Sequence, residues 1–377
     1  MNMTEITFEQ LKATNDVFIK LNNLRRWTDF SSQQRYNELS KQALNCIIAY
    51  AIARANEKAG KKVNYTAFPK IAIRRAFEKA YVYYDTPAHK IDEICSIGKI
   101  DRRLFDEATR EIIAEEAGKD FEEFLENNVG EWEKNIYKAA TKIATYIEFL
   151  ENQRDTVQLK DLSRFQEIER NLELYKDIPG VIEFSDTDSS VFKIFQELSL
   201  LRNQNRWATF CYNVECPVLG HLFDTAVYAY LFALDEKDFD EQYATKMFFY
   251  GLFHDVAETW TKDIPSPIKD RIPGFREATE KYEEEQLNKH IFKKIPKYLR
   301  KSLKKGIAEY ETNPEYKRRI KEADYISADS ECCRNLLSGS RDPDFVRAIY
   351  RRKMNDDATT LYCEFHEYFV EIAKKVI

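Results

Sequence analysis

Only ten glycines and ten prolines are spread over 377 residues, so few positions force the backbone out of a regular element, and one periodicity can dominate. That periodicity is helical. Apolar residues recur at three- and four-residue intervals over 8–24, 36–57, 65–84 and 131–151, and again over 191–202, 221–234, 241–260, 275–291, 314–337 and 358–375. Strand-like alternation is scarce. The pattern predicts an all-α chain, and with 44% hydrophobic and 14% aromatic residues there is side-chain volume for real cores despite a charged fraction of 32%.

Between the two sets of helices the pattern turns polar and contains the breakers Asp177-Ile-Pro-Gly180 and Ser185-Asp-Thr-Asp-Ser-Ser190. This predicts a first domain over 1–155, a linker over 156–189 and a second domain over 190–377. The halves echo one another. Arg26-Trp27 recurs as Arg206-Trp207, and fourteen residues past each Trp begins a similar helix, at Lys41 and at His221. Ala76-Phe-Glu-Lys-Ala80 resembles Leu252-Phe-His-Asp-Val256, and Lys138-Ala-Ala-Thr-Lys-Ile-Ala144 resembles Lys321-Glu-Ala-Asp-Tyr-Ile-Ser327. The expectation is a degenerate internal duplication in which the first copy carries Lys41, Glu78, Lys79 and Thr141 where the second carries His221, His254, Asp255 and Asp324.

Those last four residues carry the chemistry. His254 and Asp255 interrupt an otherwise apolar helix, and burying two ionisable groups together needs a reason. His221 lies 33 residues before His254 and Asp324 lies 69 after Asp255, each on a helical segment. Two imidazoles and two carboxylates suit a divalent metal such as Mn, Co, Zn or Fe. Glu258, four residues after His254, falls on the same face of a continuous helix.

With these residues in view, the stretch from about 206 to 334 resembles the HD superfamily of metal-dependent phosphohydrolases, most closely its YfbR-like 5′-deoxynucleotidases. The most specific match is His254-Asp-Val-Ala-Glu-Thr-Trp-Thr-Lys-Asp-Ile-Pro-Ser-Pro-Ile-Lys269, in which Lys262 departs from the family's glycine. The resemblance implies two HD-like bundles in tandem, only the second with a metal site. It implies one divalent ion (Co, Mn, Mg or Zn) held by His221, His254, Asp255 and Asp324. Glu258 becomes the candidate general acid or base, and Asp263 meets the sugar 3′-hydroxyl or a water at the metal. Arg206, fifteen residues before His221, would hold the 5′-phosphate as a charged fork, with Trp207 against the sugar. Because Trp27 occurs without metal ligands, Trp207 reads equally well as a scaffold residue of the repeat.

The remaining features bound the alternatives. No GxxxxGK[ST], GxGxxG or GxSxG run occurs, which excludes the nucleotide folds and acyl chemistry built on them. A net charge of −6 disfavours nucleic acid as the main partner, and the basic runs at 293–305 and 347–353 read as amphipathic surface helices. Seven scattered cysteines, the lack of an export-type segment in the first ten residues, and the lack of a long apolar run predict a cytoplasmic protein without membrane contact. The expected activity is phosphate release from deoxyribonucleoside 5′-monophosphates. Hydrolysis of nucleoside triphosphates or signalling nucleotides, or a non-catalytic metal-binding regulatory role, are the rival readings. The two halves are expected to pair within one chain, or the chain to form a homodimer.

Overall fold

A computed structural model describes residues 3, 5–28, 35–155, 162–236, 239–262, 264, 266–352 and 358–376. The first half comprises α1 (Phe8–Asn23), a two-residue hairpin pair β1 (Arg25–Arg26) and β2 (Tyr36–Asn37), α2 (Glu38–Lys58) and α3 (Ala67–Glu78), which runs on as a π-helical turn (Lys79–Tyr83). Then come α4 (Ala88–Gly98), α5 (Arg103–Ala117), α6 (Lys119–Glu126) and α7 (Glu131–Asp155). The described part of the segment read as a linker holds α8 (Leu162–Glu173) and α9 (Val181–Ser185). The second half has α10 (Ser190–Ser199), α11 (Val218–Glu236), α12 (Glu241–Phe253), α13 (Glu258–Thr261), α14 (Ser266–Arg271), α15 (Phe275–Leu287), α16 (Lys297–Thr312), α17 (Pro314–Leu337), α18 (Pro343–Tyr350) and α19 (Thr360–Val376). The fold is all-α, as the sequence predicts.

Local chemistry starts these helices where it should. Thr7 and Gln10 form a reciprocal capping box on α1, and Asp240 and Asn313 accept from the first backbone N–H groups of α12 and α17. Pro314 then occupies a first-turn position of α17, where its missing N–H costs nothing.

The architecture centres on α11. Every residue from Val218 to Leu234 is buried, the state expected of a helix that is apolar all round. It packs against α12 and α17 on one side and along α2 of the first half on the other, while α2 packs on α7. One apolar core therefore runs through both halves. Two polar residues of α11 are paired across this core: Asp224 with Arg334 of α17, 2.6 Å apart, and His221 with residues described below. Among the described residues no helix is long and apolar enough to cross a membrane, and all seven cysteines are free thiols.

The sequence pattern of 241–260 predicts one helix, but the structure ends α12 at Phe253 and turns through His254–Ala257 before α13. The cause is local. His254 Nδ1 donates to the Gly251 carbonyl at 2.7 Å, taking the acceptor that a continuing helix would offer to the Asp255 N–H.

Candidate metal centre

Three helices and one loop deliver the site. The loop is fixed first: Asn205 and Pro217 form an antiparallel bridge, with Val218 N to Gln204 O at 2.9 Å and Arg206 N to Cys216 O at 3.1 Å. This clamps Arg206 and Trp207 beside the first turn of α11, where His221 sits 1% exposed. The turn after α12 supplies His254 and Asp255, and α17 presents Asp324, Ser327 and Glu331 at spacings of three and four on one face.

Ligand atoms of His221, His254 and Asp255 lie within 4.8 Å of one another. Asp324 joins them, its Oδ1 3.2 Å from His221 Nε2, while its other oxygen takes the Lys321 ammonium at 2.6 Å. Arg206 reaches the same place: one guanidinium nitrogen lies 3.0 Å from Glu331 Oε2 and 2.5 Å from His221 Nδ1, the other 3.4 Å from Asp324 Oδ1.

The electrostatics leave the carboxylates charged. Burial alone would raise both pKa values, but His254 beside Asp255, and Lys321 with His221 and Arg206 around Asp324, hold them well below the usual range. Burial and then the Arg206 charge depress the pKa of His221. For His254 burial acts in the same direction but is outweighed by the Asp255 carboxylate, and the pKa is raised.

The donor set fits a divalent metal. Because a carbonyl can only accept, the bond to Gly251 fixes the proton of His254 on Nδ1 and leaves the Nε2 lone pair pointing inward. That Nε2 is buried and, among the described residues, has no hydrogen-bond partner of acceptable geometry, although Asp255 Oδ2 lies 3.0 Å away. A buried imidazole lone pair facing ionised carboxylates is an unsatisfied arrangement that a cation completes.

A model of the 5′-deoxynucleotidase YfbR-like family matches residues 193–374. Similar proteins include the 5′-deoxynucleotidase of Yersinia pestis (strain Pestoides F) and that of Yersinia pseudotuberculosis serotype O:3 (strain YPIII). Each is 28% identical over 160 residues, covering 42% of this chain and 79% of the relative. Residues 193–374, nearly all of the second half, are thus similar to YfbR-like 5′-deoxynucleotidases.

Within the second half the other expected site residues are distributed as follows. Glu258 is buried at the start of α13, brought near by the turn rather than by a continuous helical face, with its N–H on the Asp255 carbonyl at 3.0 Å. Trp207 packs between Phe210 and Phe345, at centroid distances of 5.2 and 5.8 Å. Asp263 lies outside the described residues. Two neighbours were not anticipated. Ser327 Oγ is 2.8 Å from His221 Nδ1, and Glu331, 1% exposed, binds both Arg206 and the Trp207 indole N–H, the latter at 2.9 Å.

Proposed function

We propose that the chain is a metal-dependent phosphohydrolase that releases phosphate from deoxyribonucleoside 5′-monophosphates. The observation that carries this reading is the convergence of His221, His254, Asp255 and Asp324 next to Arg206, in the order of a family whose relatives are named 5′-deoxynucleotidases. The two imidazole Nε2 atoms and two ionised carboxylates would hold one ion, with Mn, Co, Mg and Zn the candidates. A bound divalent ion supplies Lewis acidity and a water of lowered pKa. Arg206 presents the phosphate with a planar fork of donors, Trp207 walls the sugar side, Glu258 takes the proton of the attacking water, and Asp263 meets the sugar.

The test is phosphate release from deoxy- and ribonucleoside monophosphates, triphosphates and cyclic nucleotides after loading with Mn, Co, Mg or Zn. Metal-dependent release that favours the deoxy-monophosphates supports the reading. Metal-loaded protein that releases nothing from any monophosphate refutes it, and pyrophosphate or triphosphate products would move the activity to the other nucleotides.

We infer also that the first half is a degenerate copy of the same domain, with 1–155 and 190–377 as the two copies, paired within one chain. The support is a set of contacts repeated at an offset of 180 residues. The bridge Arg25↔Asn37 matches Asn205↔Pro217, and Glu38 N to Leu24 O matches Val218 N to Gln204 O. Lys41, 180 residues before His221, is buried with Nζ on Thr145 Oγ1 at 2.5 Å and 3.9 Å from Glu148.

Burial, and then the charge of Arg26, push the Lys41 pKa down to about 7 from an ordinary 10.5. Between those pH values the unfolded chain binds the extra proton, so this lysine favours folding increasingly as pH rises toward 10.5, and the contribution is lost as pH falls through about 7. Lys41→Met should therefore raise Tm at pH 7 and below and flatten the rise in Tm above it, since an apolar side chain of similar length escapes the desolvation cost. Thermal unfolding from pH 6 to 10 measures this; a Tm lowered at pH 6 would mean that Lys41 is needed as a cation.

A further inference from the structure

We propose that Glu331 is a positioning residue, which ties the phosphate-facing arginine and the sugar-facing tryptophan to one carboxylate oxygen. The inference rests on the nucleotidase reading above. Glu331 Oε2 accepts from the Trp207 indole N–H at 2.9 Å and from Arg206 at 3.0 Å. The carboxylate is buried, so neither bond is diluted by water, and bonds to a charged acceptor in such surroundings are the strong ones. The Arg206 guanidinium in turn lies 5.9 Å from the centre of the Trp207 ring. One side chain on a rigid helix thus sets two groups of a loop against each other.

An independent observation separates this tie from the metal ligands. In the first half Glu148 Oε2 accepts from the Trp27 indole N–H at 2.9 Å and from Arg26 at 2.9 Å. There Lys41 stands in the place of His221, so the clasp forms without imidazole ligands. The clasp is a property of the repeat, and in the second half it is turned to use.

The contacts of His221 Nδ1 bear on the need for a second anchor. An arginine N–H can only donate, so the 2.5 Å contact of Arg206 with His221 Nδ1 needs the lone pair of that nitrogen. If His221 gives its Nε2 lone pair to a cation, the ring proton moves to Nδ1, where Ser327 Oγ at 2.8 Å accepts it. Arg206 then loses the imidazole as a partner. Glu331 remains as a buried carboxylate partner of the guanidinium.

Steady-state kinetics on the metal-loaded full chain test this with Glu331→Gln, Glu331→Leu and, as the matched control, Glu148→Gln. For Glu331→Leu we expect KM for deoxynucleoside monophosphates to rise about tenfold or more with kcat within about threefold. The deoxy-over-ribo preference should shrink and one metal per chain be retained. Glu331→Gln keeps an acceptor for the indole and should fall between. Glu148→Gln should lower Tm and leave KM alone. An unchanged KM in Glu331→Leu with a lowered Tm overturns the proposal, as does loss of the metal. If the wild-type chain turns over no deoxynucleotide, it is the nucleotidase reading that fails. The indole N–H resonance of Trp207 then decides the tie itself: an upfield shift in Glu331→Gln supports it, and an unmoved resonance refutes it.

Discussion

Asp255→Ala is expected to purify as a folded chain without bound metal and with kcat lowered at least about a thousandfold, since a metal ion contributes several kcal/mol to such reactions and each 1.4 kcal/mol is tenfold. Of the proposed ligands, Asp255 is the one whose loss should matter most. It lies 3.0 Å from His254 Nε2 and 3.9 Å from His221 Nε2, so it touches both imidazoles and supplies the negative charge between them. Without it burial dominates at His254, the imidazole stays neutral, and two neutral nitrogens with Asp324 bind a divalent ion weakly. Far-UV circular dichroism should be unchanged, because Asp255 lies in the turn after α12 and caps no helix. Elemental analysis and phosphate release measure the two losses together. Full metal content in the variant would remove Asp255 from the ligand set.

Gly251→Ala should cost about 1–3 kcal/mol of stability, the usual range for overpacking, and about a hundredfold in kcat/KM, as small misplacements of reacting groups do. A Cβ at this position would stand 2.9 Å from the Cα of Ala226 and 3.1 Å from the Thr225 carbonyl oxygen. Both are backbone atoms of α11, which cannot rotate away as a side chain can. Relief requires α11 and α12 to part, and α12 carries the carbonyl that orients His254. The same displacement therefore weakens the core and misaims a ligand. Thermal unfolding with and without metal, beside metal titration, separates the effects. A Tm within a degree of wild type would mean that the helices do not approach so closely.

Much of this was legible in the sequence because long helices repeat one period. The expected span 314–337 coincides with α17, and 8–24 overruns α1 by one residue. The helices α4, α5 and α6 escaped notice: α5 buries only Thr109, Ile113 and Ala117 and seven of its fifteen residues are charged, although α6 does bury Phe121, Phe124 and Leu125 at helical spacing. The break after Phe253 was illegible for a different reason, since it depends on a histidine side chain competing for a backbone carbonyl. His254 and Asp255 stood out because they are ionisable groups in an apolar run. Glu331 did not, because a glutamate in α17 looks like one more solvated charge. A signal existed all the same: Glu331 follows Asp324 by seven residues, as Glu148 follows Thr141, and each lies opposite an Arg-Trp pair.

The contact between α2 and α11 has a consequence for how such a chain can change over time. A Cβ built on Gly220 would lie 3.2 Å from Leu39 Cδ2 and 3.7 Å from Ser40 Oγ, and Ser40 stands 180 positions before Gly220. In a symmetric dimer of identical chains, equivalent positions that meet across the axis must be the same residue, and every substitution is felt twice. On the proposed reading of the halves as two copies, one such position is serine and the other glycine. Joining two such faces in one polypeptide would let a change on one side be answered on the other, and let one proposed copy lack ligand positions that the other keeps.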